Sequence, residues 1–275
     1  NLIYMAETLV MGNALERFLK PERLIFGGKK KIKLFTMLKE FKCPIFVLNY
    51  RQAEMIKMAI NLYLLTSVSY ANLLDFYCRQ YGFKFSSINE PIRLDKRIGL
   101  SSYISPSLGI SGGHLERDLF SIIKNSKNKL VKKIFTNLKS LSDKRIDVLI
   151  DFFKKIRKKE KFTNTIWIGP SYKKDSFSVL NSPYYHFYKY MKKNKFKFKV
   201  YNSFFDLEKN NLKNFLRKLN NDNLKNSLII LNYASKKDVK IILNLAKKNF
   251  IKIVDIGISS NLNIKNNQNI FSLLN

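Results

Sequence analysis

Between Arg51 and Tyr81 the chain runs for thirty-one residues without a proline or a glycine, and Gly82 closes the run. Such a segment predicts one uninterrupted helix with a glycine at its C-terminal stop. At 1.5 Å per residue it would span roughly 45 Å, longer than a small domain is wide. Its most apolar part, Met58–Cys78, approaches the ~20 apolar residues that a bilayer crossing needs. Asn61, Ser67, Ser69, Asn72 and Asp75 interrupt it, and such side chains are expensive in lipid. The expectation is a helix buried in protein, with no membrane span, serving as a domain spine or a dimer interface.

The flanks of this helix differ in texture. Before it, Arg23–Phe26 closes on Gly27-Gly28 and reads as a strand, residues 31–42 read as a helix, and Pro44–Leu48 reads as a second strand. After it, Gly99–Gly113 (GLSSYISPSLGISGG) is a glycine- and serine-rich loop in which backbone can approach a ligand closely. Helices are expected from Asp118 to about Lys158, broken near Ser142-Asp143. The Lys-rich stretch Lys154–Lys161 reads as a boundary. Beyond it strands and helices alternate: strands at Ile166–Ile168, Phe198–Tyr201, Leu228–Leu231 and Ile251–Val254, helices at Pro183–Lys193, Leu207–Leu219 and Lys236–Lys248. Alternation of this kind predicts βαβ units with a parallel sheet. Ligands of such sheets bind at the carboxyl ends of the strands. The fold class is therefore α/β: a helical middle built on a long spine helix, then a Rossmann-like parallel α/β domain.

Composition narrows the chemistry. With 45 % hydrophobic residues the 275-residue chain can build a core, so a disordered basic tail is excluded. Cys43 and Cys78 are too few for a disulfide framework or a four-thiolate zinc site, and two histidines argue against a His-based metal site. The net charge of +31 is uneven: residues 1–118 carry 17 Lys/Arg against 10 Asp/Glu, and residues 119–275 carry 34 against 10. A surplus of that size suggests a polyanionic partner. The same half is rich in Asn, Ile, Phe and Tyr, so compositional drift over solvated positions explains most of it. The chain opens at Asn1 without a signal peptide, and further sequence upstream is expected.

Individual residues carry more. Lys57 and Asn61 are four apart, so they share one helix face. A cation and an amide placed together can stabilise an alkoxide or tetrahedral oxyanion. The plain alternative is a solvated i,i+4 pair. Ser182-Pro183 supplies an N-cap and a first-turn proline for the helix that follows, whose N-terminus favours phosphate.

Four segments resemble the UDP-glucose/GDP-mannose dehydrogenase family, whose members oxidise the C6 hydroxymethyl of a nucleotide sugar to a carboxylate with two NAD⁺. Ala6–Gly28 (AETLVMGNALERFLKPERLIFGG) is similar to the family stretch that ends in a strand and Gly-Gly, and its Gly-Asn-Ala-Leu-Glu portion to the branch acting on UDP-N-acetylhexosamines. Ala53–Gly82 is similar to the central helix, with Lys57, Asn61 and Asn72 at its polar positions. Leu94–Asp118 (LDKRIGLSSYISPSLGISGGHLERD) is similar to the stretch that carries an arginine, a glycine loop, a cysteine and an aspartate. Trp167–Pro183 (WIGPSYKKDSFSVLNSP) resembles the lysine-containing loop of the UDP-binding domain.

The resemblance implies roles. Lys57 and Asn61 would stabilise the oxyanion, and Asp118 would activate water. Glu7, Arg97, Gly109, Gly112, Gly113 and Lys173 would contact substrate, with Arg97 reaching the sugar of a neighbouring subunit. A homodimer through the 51–81 helix and a cytoplasmic location follow from the same likeness. Residues 1–50 would be the edge of an NAD-binding domain, 51–160 the central dimerisation domain and 161–275 the UDP-sugar-binding domain. No Gly-x-Gly-x-x-Gly fingerprint occurs in the chain, so NAD is expected mainly on a domain upstream.

The chain departs from the pattern at three chemical positions. His114 stands where the family has its nucleophilic cysteine, Met11 where it has the glutamate that assists thioester hydrolysis, and Leu180 where it has an arginine. Thioester chemistry requires a thiolate, so His114 at the nucleophile position accords better with loss of the second oxidation. Three readings stay open. They are an NAD-dependent nucleotide-sugar 6-dehydrogenase serving polysaccharide biosynthesis, an inactive homologue that binds UDP-sugar or partners a dimer, and, far behind, a basic nucleic-acid-binding protein with no recognised motif.

Overall fold

The computed structural model describes residues 2–7, 13–29, 36–171, 179, 182–204, 214–248, 251–256 and 268–274. They form two compact units, Asn1–Leu64 and Leu65–Asn275. The division falls inside the long helix, whereas the sequence places divisions at 50 and 160.

The first unit holds β1 (Tyr4–Met5), α1 (Ala14–Leu19), β2 (Leu24–Gly27), β3 (Ile45–Leu48) and the first half of α2 (Tyr50–Gln80). β1 pairs antiparallel and β3 parallel with β2. Asn49 and Gln52 start α2 reciprocally: the Gln52 N–H donates to Asn49 Oδ1 at 2.9 Å and the Asn49 N–H to Gln52 Oε1 at 3.3 Å. That exchange satisfies two backbone donors that a helix start leaves open. A Cβ at Gly27 would lie 3.0 Å from the Tyr50 Cα and 3.1 Å from Ala53 Cβ. The Gly27-Gly28 pair therefore lets the helix approach the strand end. At the other end of α2, Gly82 takes φ +79°, and the Phe83 N–H returns to the Cys78 carbonyl, as a glycine C-cap requires.

In the second unit, α3 (Ser86–Leu94), α4 (Gly113–Asn125) and α5 (Lys129–Lys159) follow. The break between α4 and α5 lies at residues 126–128 and not at Ser142-Asp143. Asn128 makes it, because its side chain accepts the N–H groups of Leu130 and Val131. Ser142 sits within an unbroken helix. The sheet comprises β4 (Asn164–Ile168), β5 (Phe198–Tyr201), β6 (Ser227–Leu231), β7 (Ile251–Asp255) and β8 (Ile270–Ser272), with α6 (Pro183–Lys193), α7 (Asn221–Leu224) and α8 (Lys236–Lys247) between strands. All pairings are parallel, in the order β5-β4-β6-β7-β8.

Strand alternation splits the core into two layers. On β4, Trp167 packs with Phe153 of α5 and Phe187 of α6. Ile166 and Ile168 pack on the opposite face with Ile242 and Leu245 of α8. Phe153 and Ile156 belong to the sheet core, so the stretch that opens the Lys-rich segment is the end of a packed helix. The helix expected over 207–219 is absent from its described part, 214–219. There the Leu216 N–H donates to the Val200 carbonyl at 2.8 Å, and Phe215 bridges β5 in parallel. The open edge of β5 takes Phe215 in a single bridge.

Candidate functional site

In the first unit, Glu7 directly follows Ala6, whose N–H donates to the Ile25 carbonyl at 2.9 Å. Lys57 and Asn61 occupy successive turns of α2, both half-buried. Lys173, Met11 and Leu180 lie outside the described residues.

In the second unit the glycine loop is clamped by side chains of two helices. Asn72 of α2 accepts the Ser107 N–H at 2.8 Å and donates to Ser107 Oγ at 3.4 Å. Ser107 Oγ donates to the Gly109 carbonyl at 2.9 Å. From α5, Ser142 Oγ accepts the Ile110 N–H at 2.6 Å. The three glycines have different tasks. Gly109 has φ +116° and no room for a side chain, since a Cβ would lie 2.9 Å from the Ser142 carbonyl oxygen. Gly112, at φ +99°, is the N-cap of α4. Gly113 opens that helix with nothing within 4 Å of a notional Cβ.

The loop delivers His114 and Asp118 to one face of α4, four residues apart. His114 is exposed; Asp118 is buried, with Arg117 Nε 2.8 Å from its Oδ1. Arg97, in the turn after α3, is 89 % exposed at its side chain and grips Asp95 through Nε at 3.0 Å and Nη2 at 2.7 Å. That fork holds the Asp95 carboxyl below the usual carboxylate range.

Beside the loop lies a small cleft lined by Gly109, Ser111, Glu116, Lys139, Asp143 and His186 among others. Sequence reasoning missed His186. Burial first, then Lys189 and Lys139, lower its pKa, while Asp143 and Glu116 pull the other way. The sign follows: a lowered native pKa means that the unfolded chain takes up the proton first. Stability contributed by neutral His186 is present above its ordinary value near 6.5 and is lost as pH falls through the lower native value. His186→Gln should flatten this part of the melting-temperature profile between about pH 7 and 5. An unchanged profile would remove His186 as its source.

At the carboxyl end of the sheet, strand order reverses between β5-β4 and β4-β6, which makes a topological switch point. Asn232 Nδ2 donates to the Gly169 and Ser171 carbonyls at 3.0 and 3.2 Å. In open α/β sheets ligands bind in the crevice at such a switch point.

With its parallel α/β sheet, spine helix and clamped glycine loop, the chain has a fold found among solved UDP-sugar dehydrogenases. It shares that fold with the UDP-glucose dehydrogenase of Pyrobaculum islandicum (TM-score 0.74, 19 % identity, 98 % of this chain and 62 % of that one). It shares it equally with the UDP-N-acetyl-mannosamine dehydrogenase of Staphylococcus aureus (TM-score 0.73, 18 % identity, 100 % and 63 %). Residues 51–142 match the central-domain model of the UDP-glucose/GDP-mannose dehydrogenase family. The chain is 28 % identical over 193 residues to a UDP-glucose 6-dehydrogenase of Rickettsia bellii (66 % of this chain, 44 % of the relative). It is 34 % identical over 143 residues to that of Campylobacter jejuni (49 % and 36 %). It therefore spans less than half the length of these curated relatives.

Proposed function

We propose that the chain is the central and UDP-sugar-binding part of an NAD-dependent nucleotide-sugar 6-dehydrogenase, acting on a UDP-hexose or UDP-N-acetylhexosamine for polysaccharide biosynthesis in the cytoplasm. The observation that carries this reading is the glycine loop, fixed at Ser107 and Ile110 and leading straight into the helix that bears His114 and Asp118. Lys57 and Asn61 stabilise the oxyanion, Asp118 positions water, and Glu7, Arg97, Gly109, Gly112, Gly113 and Lys173 meet the substrate. NAD would supply the hydride acceptor. The described residues offer it no glycine cradle, because the strand-ending Gly27 is filled by Tyr50 and Ala53, and its site is assigned to polypeptide beyond them. The domain assignment is residues 1–50, 51–160 and 161–275.

A homodimer through α2 fits its exposed stripe of Tyr63, Tyr70, Leu73 and Tyr77, each at least half exposed. An apolar stripe of that length on one helix face suits a second copy. The exposed fork of Arg97 suits a residue that reaches a neighbour. Among the described residues no helix is long and apolar enough to cross a membrane. Imidazole in place of a thiol at His114 favours a second reading, an inactive UDP-sugar-binding homologue.

Calorimetry with UDP-glucose and UDP-N-acetylglucosamine tests both. Saturable heat from either sugar nucleotide is expected, and no heat at millimolar ligand would overturn both readings. NADH formation by the protein carrying this chain, lowered about 10²- to 10³-fold by Lys57→Ala, would establish the active form. Binding without NADH formation would select the inactive one.

A further inference from the structure

Three of the five polar residues that interrupt the apolar stretch of α2 are buried: Ser69 and Asn72 are 1 % exposed and Asp75 is 0 %. Opposite them Arg145 of α5 is also 0 % exposed. Its Nη2 donates to Asp75 Oδ2 at 2.8 Å, its Nε donates to the Ser107 carbonyl at 2.9 Å, and its guanidinium lies 4.6 Å from the centre of the Phe76 ring. Arg79 Nε reaches the same Asp75 oxygen at 3.0 Å.

This pair is poorly arranged for stability. Arg145 Nη1 and Asp75 Oδ1 are buried and make no hydrogen bond, and burial works against the arginine's charge while Asp75 sustains it. An incompletely satisfied buried ion pair adds little to folding, and an apolar pair of similar volume replaces it without loss. What a guanidinium supplies is direction, because its donors sit in one rigid plane. Here Asp75 holds one side of that plane and the Ser107 carbonyl receives the other.

We propose that Arg145, oriented by Asp75, is a positioning residue that fixes the 105–113 loop, and through it the approach to His114 and Asp118. Ser107 is then held at both main-chain groups, its N–H by Asn72 and its carbonyl by Arg145. Ser142 holds Ile110 three residues on. The loop's conformation is set from α2 and α5 before any ligand arrives. That the loop serves a UDP-sugar rests on the function proposed above; its immobilisation by Arg145 does not.

Amide hydrogen exchange on the chain separates this role from a merely structural one. The variants are Arg145→Lys and the double replacement Asp75→Leu with Arg145→Met. In the double variant the urea midpoint should hold while the Ser107 and Ile110 amides exchange about tenfold faster, with Ile229 and Ile230 of β6 unchanged. Arg145→Lys keeps a buried cation beside Asp75 but lacks the two-point fork, so it should show the same loop-confined acceleration. Unchanged loop exchange in a folded variant, or acceleration shared equally by β6, would overturn the proposal. In parallel, UDP-glucose should bind the variants at least tenfold more weakly than the unaltered chain. If the unaltered chain gives no heat with UDP-glucose or with UDP-N-acetylglucosamine, the nucleotide-sugar reading falls, while loop exchange still decides the role of Arg145.

Discussion

Trp167→Ala should destabilise the second unit by about 3–5 kcal/mol, lowering its melting temperature by roughly 10 °C. The side chain is fully buried. Its ring centre lies 5.7 Å from those of both Tyr184 and Phe187, and its Nε1 donates to the Gly169 carbonyl at 3.1 Å. Truncation therefore opens a cavity beside two packed rings and removes a hydrogen bond from a strand end. Urea unfolding followed by circular dichroism measures the loss, since the variant has no tryptophan left to report. Leu130→Ala, at a position 65 % exposed, should move the same midpoint by no more than about 0.5 kcal/mol. Equal effects at the two sites would contradict the burial pattern.

Gly169→Ala should cost about 3 kcal/mol, combining an unfavourable backbone region with overpacking. The residue has φ +75°, and a Cβ there would lie 2.5 Å from the Tyr233 carbonyl oxygen and 2.6 Å from the Tyr233 nitrogen. Both are backbone atoms, so relief requires the carboxyl ends of β4 and β6 to separate. That movement would break the Asn232 contacts at the switch point. Thermal denaturation reads the first effect, and calorimetry with a UDP-sugar reads the second. A variant that melts and binds like the unaltered chain would show that the crevice tolerates opening.

Periodicity and punctuation made much of this fold legible. α2 was defined by the absence of proline and glycine, α6 by Ser182-Pro183, and β6 by a continuous apolar run suited to a strand buried on both faces. α3 was not legible, because Pro91 argues against a helix there. The structure accepts it because Ile88 and Ile92 pack on the cluster of Ala71, Cys78 and Phe85. The break at Ser142-Asp143 was misplaced because a polar pair inside a helix looks like a stop. Ser142 faces the glycine loop instead, a partner thirty-two residues away in sequence. In the same way Asp75 looked like a flaw in an apolar face, and Arg145 had no motif at all. Their pairing spans seventy residues, beyond any local pattern. Glycine positions were visible, but not that Gly109 yields to Ser142 while Gly113 faces open space.

The strand order also dictates how the sheet can be assembled as the polypeptide emerges. After β4 and β5 pair, β6 adds on the other side of β4, and β7 and β8 then each add beside the strand just completed, along one advancing front. Every strand on that side is therefore temporarily an uncovered edge. β7 is closed by the shortest strand of this sheet: the three residues of β8 must follow a further fourteen residues after Asp255. At about 5–20 residues per second, that interval lasts roughly one to three seconds. During it Ile251, Ile253 and Val254 form an apolar margin with free backbone donors and acceptors, the kind of edge that recruits other chains. The final short strand is thus what seals the newborn sheet against its neighbours on the ribosome.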